Sequence, residues 1–173
     1  MSAPAATAAA AAASHPAPSD LKPQVGIAVL IVNPASHPGA ILVGERRGSH
    51  GAATFATPGG HLDFGEGFSE CGLREVKEET NLDLAAPLQH VYTCNTVFAE
   101  SQKHYVTLFM KGTISGGDGD GAGGASALRT MEPDKCVGWV WMRWDELQQK
   151  HRSGEVRVFP TLATLLEDDT FVL

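Results

Sequence analysis

The sequence predicts a mixed α/β protein of the α+β kind, and three observations carry that prediction. The run "VGIAVLIV", residues 25–32, is a continuous apolar, largely β-branched segment of the type buried on both faces of a sheet. Residues 69–80 read as a helix: Ser69 is a good N-cap residue, and Asn81 stands where a left-handed C-cap is needed, a position Gly usually fills and Asn sometimes does. "LQHVYTCNTVF" and "HYVTLFMKGTI" are two strand-like runs joined by polar residues 100–103, as suits an antiparallel pair.

The other elements follow in chain order. The first 24 residues are Ala/Pro low complexity and predict a disordered tail, with the folded domain spanning residues 25–173. After the first strand, "NPASHPG" marks a turn and residues 41–45 a second strand. A short strand at residues 54–56 runs into Pro58, Gly59 and Gly60, where regular structure is expected to stop. Beyond the hairpin, residues 115–126 are Gly-rich and predict a flexible insertion; they lack the ligand order of an EF-hand and any GGxGxDxUx register. "CVGWVWM" is a further strand, "WDELQQK" opens a short helix with Asp145 in its first turn, and "FPTLATLLED" is a terminal helix with Pro160 at its start.

The totals exclude several functions. A chain of 173 residues with 43% apolar composition fits one domain with a proper core. A formal charge of −7 without any Lys/Arg-rich run argues against binding a nucleic-acid polymer, whereas free nucleotides stay open because a bound metal can offset local negative charge. Cys71, Cys94 and Cys136 are odd in number and widely spaced, which reads as reduced thiols in a reducing compartment. No apolar run approaches a membrane span, no HExxH is present, and neither a secretory nor a transit peptide is well supported at the N-terminus.

Chemistry concentrates in "PGGHLDFGEGFSECGLREVKEETNL". On a helix, Glu75 faces both Glu78 and Glu79 across one turn, and each such like-charge pair costs roughly 0.2–0.5 kcal/mol. Arg74 offers partial relief, being four residues before Glu78 and four after Glu70. Ahead of the helix lies a glycine-rich loop whose backbone can approach a ligand closely. Carbonyls, amides and carboxylates gathered this way suit Mg²⁺ or Mn²⁺, which prefer hard oxygen donors and bridge phosphate oxygens. A divalent ion would turn repulsion among the glutamates into coordination.

Gly60, Glu66, Arg74-Glu75, Glu78-Glu79 and the Thr80-Asn81-Leu82 that follows resemble the Nudix box. Six fixed identities at roughly 7% usage each would coincide at about one position in ten million. The departure is Asn81, where the family usually has Gly; a left-handed Asn is expected to be structurally mild and catalytically silent. Over residues 25–147, "GSHGAATFATPGGHLDFGE", "HYVTLFMKG" and "EPDKCVGWVWMRWDEL" are similar to the MutT-type nucleotide diphosphatases of eukaryotic cytosol, a subgroup that includes enzymes acting on oxidised or thiolated guanine nucleotides.

The resemblance implies the Nudix fold, an α/β/α sandwich around a mixed sheet. It also implies Mg²⁺-dependent hydrolysis of nucleoside triphosphates to monophosphate and pyrophosphate, in a cytoplasmic homodimer. Glu75 and Glu79 would hold the ion, with the Gly60 carbonyl as a further ligand. Glu78 would be another ligand or the general base, Arg74 would hold the glutamates, and Glu66 would brace the loop or contact the metal. Glu132 is either a loop acid or an extra ligand or base. Arg46 either matches a basic residue at the substrate phosphates, alongside the backbone at Gly59 and Gly60, or is a surface arginine. Thr107 and Phe159 line the base pocket or belong to the core, and of Trp139, Trp141 and Trp144 one or two belong to the core and one edges the pocket or a dimer face. Two alternatives use the same box: hydrolysis of a non-nucleotide diphosphate, such as an isoprenoid diphosphate, dihydroneopterin triphosphate or nucleotide sugar, and a Nudix module that binds nucleotide without cleaving it.

Overall fold

The structure is a computed structural model, and it describes residues 22–48, 51–115 and 124–173. Residues 1–21 of the expected tail and 116–123 of the expected insertion lie outside the described residues. Among the described residues, Gln24 belongs to the first strand and Ala125–Ala127 form a 3-10 turn.

The elements are β1 (Gln24–Asn33), β2 (His37–Arg46), β3 (Phe55–Ala56), β4 (Gly59–His61), α1 (Phe68–Thr80), β5 (Gln89–Phe98), β6 (Lys103–Thr113), β7 (Cys136–Arg143), α2 (Trp144–Ser153) and α3 (Pro160–Glu167). They build one mixed sheet of order β3-β2-β1-β6-β5, with β4 added on β1 and β7 on β2. β1 runs parallel to β6 and antiparallel to β2 and β4.

β1 explains the layering. Its side chains alternate between faces, so Ile27, Val29 and Ile31 join Cys71 and Val76 of α1 in one core. Ala28, Leu30 and Val32 join Trp144 and Leu147 of α2 and Leu162, Leu165 and Leu166 of α3 in another. Burying one such aliphatic side chain is worth about 1.5–3 kcal/mol, and both faces of β1 are filled. The expected α/β/α sandwich around a mixed sheet is what forms.

β1 also creates the site. One of its edges is divided, with residues 26–28 pairing β4 and residues 32–33 pairing β2. The sheet opens where β4 and β2 part, and a cavity of about 530 Å³ lies there, with Gly44, Arg46 and Ala56 on one side and Gly59, Gly60 and His61 on the other.

Three expectations need correcting. Regular structure does not stop at Gly59: residues 59–61 pair with β1, a register three residues long that turn composition hides. Gly59 makes this possible, since its φ of 151° and the closeness of Ile27 O leave no room for a Cβ. Ser69 is not the N-cap; α1 begins at Phe68 with Gly67 as cap, and the Ser69 hydroxyl accepts from Leu88 N at 2.9 Å. Glu70 does not pair with Arg74 but accepts from the Gly67 N–H at 2.8 Å, a carboxylate at the positive end of the helix.

Candidate active site

Helix α1 is fixed by contacts at its polar ends. At the C-terminus Asn81 adopts φ 61°, and its N–H donates to Lys77 O, as the left-handed cap requires. The side chain adds something Gly could not, because Asn81 Nδ2 donates to Ala127 O at 3.1 Å. Arg129 N donates to Thr80 O at 3.0 Å and Met131 N to Glu79 O at 3.1 Å, so the segment leading to Glu132 is tied along the end of α1.

Arg74 organises the acids. Its Nε and Nη2 grip the two Glu66 oxygens at 2.8 and 2.9 Å, a bidentate pair. Nη1 donates to Glu75 at 2.7 Å and to Glu78 at 3.4 Å, while Nη2 also reaches His61 O at 3.2 Å. The guanidinium holds the Glu66 carboxyl down at about 2. Cys71 lies beneath this network, fully buried, and burial pushes its thiol up to about 12, so it is an inert packing group.

Glu75 and Glu79 both line the cavity. Glu75 sits against Gly60 so closely that a Cβ there would overlap its carboxylate. Glu79 accepts from the Gly59 N–H at 3.0 Å. Burial, opposed by that hydrogen bond and reinforced by the nearby Glu75 and Glu132 charges, pushes its carboxyl up to about 7. Glu78 does not enter the cavity; its side chain is 56% exposed and leans on Arg74. The three glutamates therefore have three different environments, which helical spacing alone cannot reveal.

The residues present fit a divalent ion that is completed by substrate. Among the described residues, no three His, Cys, Asp or Glu side chains converge as a ready-made cage. Two hard carboxylates face one cavity beside a glycine backbone, and Mg²⁺ is characteristically held by one or two carboxylates plus phosphate oxygens and water.

The other expected residues also gather there. Arg46, Thr107, Glu132 and Phe159 line the same cavity as Gly59 and Gly60. Arg46 lies 4.7 Å over the Phe159 ring, Thr107 is buried on β6, and Glu132 pairs with Lys135 at 2.7 Å. Glu66 and Arg74 stay behind the wall as supports. Of the tryptophans, Trp144 is core, Trp141 stacks on His37 with centroids 4.6 Å apart, and Trp139 edges the cavity.

Sequence reasoning missed His61 and Tyr105. Both line the cavity and share a 3.4 Å contact between Nε2 and the phenol oxygen. Tyr105 meets Phe98 edge-on and Phe98 meets Phe159, so an aromatic arc runs along one side. The alternation of β6 was the available signal, since Tyr105 and Thr107 are two residues apart and face the same way.

A family model described as NUDIX domain matches residues 22–162. The fold is similar to that of a MutT NUDIX hydrolase from Burkholderia pseudomallei, at TM-score 0.67 and 24% identity over 86% of this chain and 99% of that one. A NUDIX hydrolase from Nitrosomonas europaea is similar at TM-score 0.64 and 24% identity, covering 85% and 88%. The NUDIX domain of Shewanella oneidensis NrtR, complexed with ADP ribose, is similar at TM-score 0.62 and 14% identity, covering 87% and 89%.

Proposed function

The chain belongs to the Nudix family of hydrolases, and from that premise we propose that it is a Mg²⁺-dependent pyrophosphohydrolase cleaving nucleoside triphosphates, oxidised or modified purine nucleotides among them, to monophosphate and pyrophosphate. The observation that carries this reading is the meeting, in one cavity, of Glu75 and Glu79 with Arg46 and the aromatic Tyr105 and Phe159. That arrangement has acids at one end for a cation, a guanidinium for phosphate oxygens, and rings on which a base can stack.

Glu75, Glu79 and the Gly60 backbone would hold the ion. When bound, it supplies charge neutralisation for the phosphates and a nucleophilic water at neutral pH. The chain's own groups do the rest. Arg74 fixes Glu75, so the acid needs little reorganisation when substrate arrives. Arg46, already stacked on Phe159, presents its fork to the phosphates without further ordering. Glu132 faces the cavity from the opposite loop, is not engaged by Arg74, and is the carboxylate we assign to receive the proton from the attacking water. A cytoplasmic homodimer belongs to this reading through the subgroup the sequence resembles.

The test is a panel of ordinary and oxidised nucleoside triphosphates, an isoprenoid diphosphate and a nucleotide sugar, each with Mg²⁺, scoring pyrophosphate, inorganic phosphate and organic product. Nucleoside triphosphates should release pyrophosphate, and Glu79→Gln should abolish that turnover with the fold intact. Preference for the non-nucleotide compounds would overturn the substrate assignment, and an unaffected Glu79→Gln would overturn the metal assignment.

A further inference from the structure

Glu79 sits in the last turn of α1, where backbone carbonyls have no partner inside the helix. Its carbonyl oxygen nevertheless receives two donors from outside: Met131 N at 3.1 Å and the indole Nε1 of Trp139 at 3.2 Å. The second is a side chain from β7, sixty positions along the chain. An indole N–H can only donate, and when partly buried it needs an acceptor. Here that acceptor belongs to the residue whose carboxylate reaches into the cavity.

The Trp139 ring has a second engagement. It packs on Gly44 of β2, where a Cβ would come within 2.7 Å of the ring carbons, and it forms part of the cavity wall. Gly44 and Trp139 are register partners in the β2–β7 pair. Trp139 is therefore held by the sheet on one side and grips the helix on the other. At Glu79 three constraints meet: the Gly59 N–H on the carboxylate, and Met131 and Trp139 on the carbonyl.

We infer that Trp139 is a positioning residue for Glu79: its indole N–H ties the end of the catalytic helix to the sheet and sets where the Glu79 carboxylate lies for the ion. The inference rests on the proposed role of Glu79 as a metal ligand. The neighbouring Trp141 stacks on His37 instead, so the duty is particular to position 139.

Trp139→Phe keeps a ring on Gly44 but removes the donor. Benzothienylalanine inserted at position 139 by codon suppression preserves the whole ring outline without the N–H, which keeps the test open should the phenylalanine variant fail to fold. Mn²⁺ binding is measured by electron paramagnetic resonance without nucleotide, kcat and KM are measured for a nucleoside triphosphate, and Glu79→Gln runs in parallel.

The expected result is a three- to tenfold weaker Mn²⁺ affinity in both donor-free proteins, the range for losing one ordinary hydrogen bond. The kcat at limiting metal should fall by a similar factor, with KM for nucleotide within about twofold of wild type. Unchanged Mn²⁺ affinity and kcat would overturn the inference. So would a raised KM at constant kcat, which would make Trp139 only a wall of the substrate pocket. If Glu79→Gln itself binds Mn²⁺ like wild type, the metal reading fails first and this inference with it. If Glu79→Gln loses the ion while both Trp139 variants keep it, only the inference fails.

Discussion

In the metal-free protein, Glu79 should make stability fall as pH rises. An ordinary glutamate titrates at 4.5, and the folded protein moves this one to about 7, chiefly through burial. The unfolded chain can ionise Glu79 above pH 4.5 without penalty, while the folded chain holds it protonated until about pH 7. The stabilisation is therefore fully present below pH 4.5 and is lost as pH rises through 7. At about 1.4 kcal/mol per tenfold change in proton affinity the full swing is about 3 kcal/mol, most of which falls between pH 5 and pH 8.

Glu79→Gln can still accept from the Gly59 N–H but cannot ionise, so it removes this contribution while other titrations cancel in the comparison. Urea unfolding of both proteins in EDTA, followed by tryptophan fluorescence, measures the difference. Wild type should lose roughly 2–3 kcal/mol relative to Glu79→Gln on going from pH 5 to pH 8. Saturating Mg²⁺ at pH 8 should restore it, because only the ionised carboxylate binds metal. A difference between the proteins that stays flat within about 0.5 kcal/mol over that range, or that grows in wild type's favour, would refute the reasoning.

Two further outcomes are expected. Gly60→Ala should keep the circular dichroism of wild type but lose on the order of 10²-fold in kcat/KM, because the added methyl displaces the Glu75 carboxylate; a loss under about threefold would count against that contact. Arg74→Lys cannot keep both oxygens of Glu66 and also Glu75, so kcat/KM should fall about tenfold. Its thermal stability deficit should be full at neutral pH and disappear as pH falls through about 2, where the wild-type Glu66 carboxyl itself becomes protonated. A deficit that persists undiminished in acid would show that the pairing is not its source.

Strands 24–33, 89–98 and 103–113 and the body of α1 were legible because their signals are local: β-branched runs, polar connections and a left-handed Asn81. β4 was not, since three residues of Gly-Gly-His pair only because β1 offers an edge. The start of α1 was misplaced by one or two residues because Ser69 is a good cap in isolation but is taken by Leu88, and Glu70 serves Gly67 instead.

The sequence by itself determined the family and the order of its motif: a Gly60–Glu66–Arg74-Glu75–Glu78-Glu79 spacing that places acids on one helix after a glycine-rich loop. Only the tertiary structure decided how those acids differ. Glu75 is clasped by Arg74, Glu78 is largely exposed beside Arg74, and Glu79 is partly buried with its proton affinity raised. The physical reason is that spacing along a helix sets which side chains are neighbours. Burial, the field of Glu132, the Gly59 amide and the grip of Trp139 come from segments that only the folded sheet brings within reach.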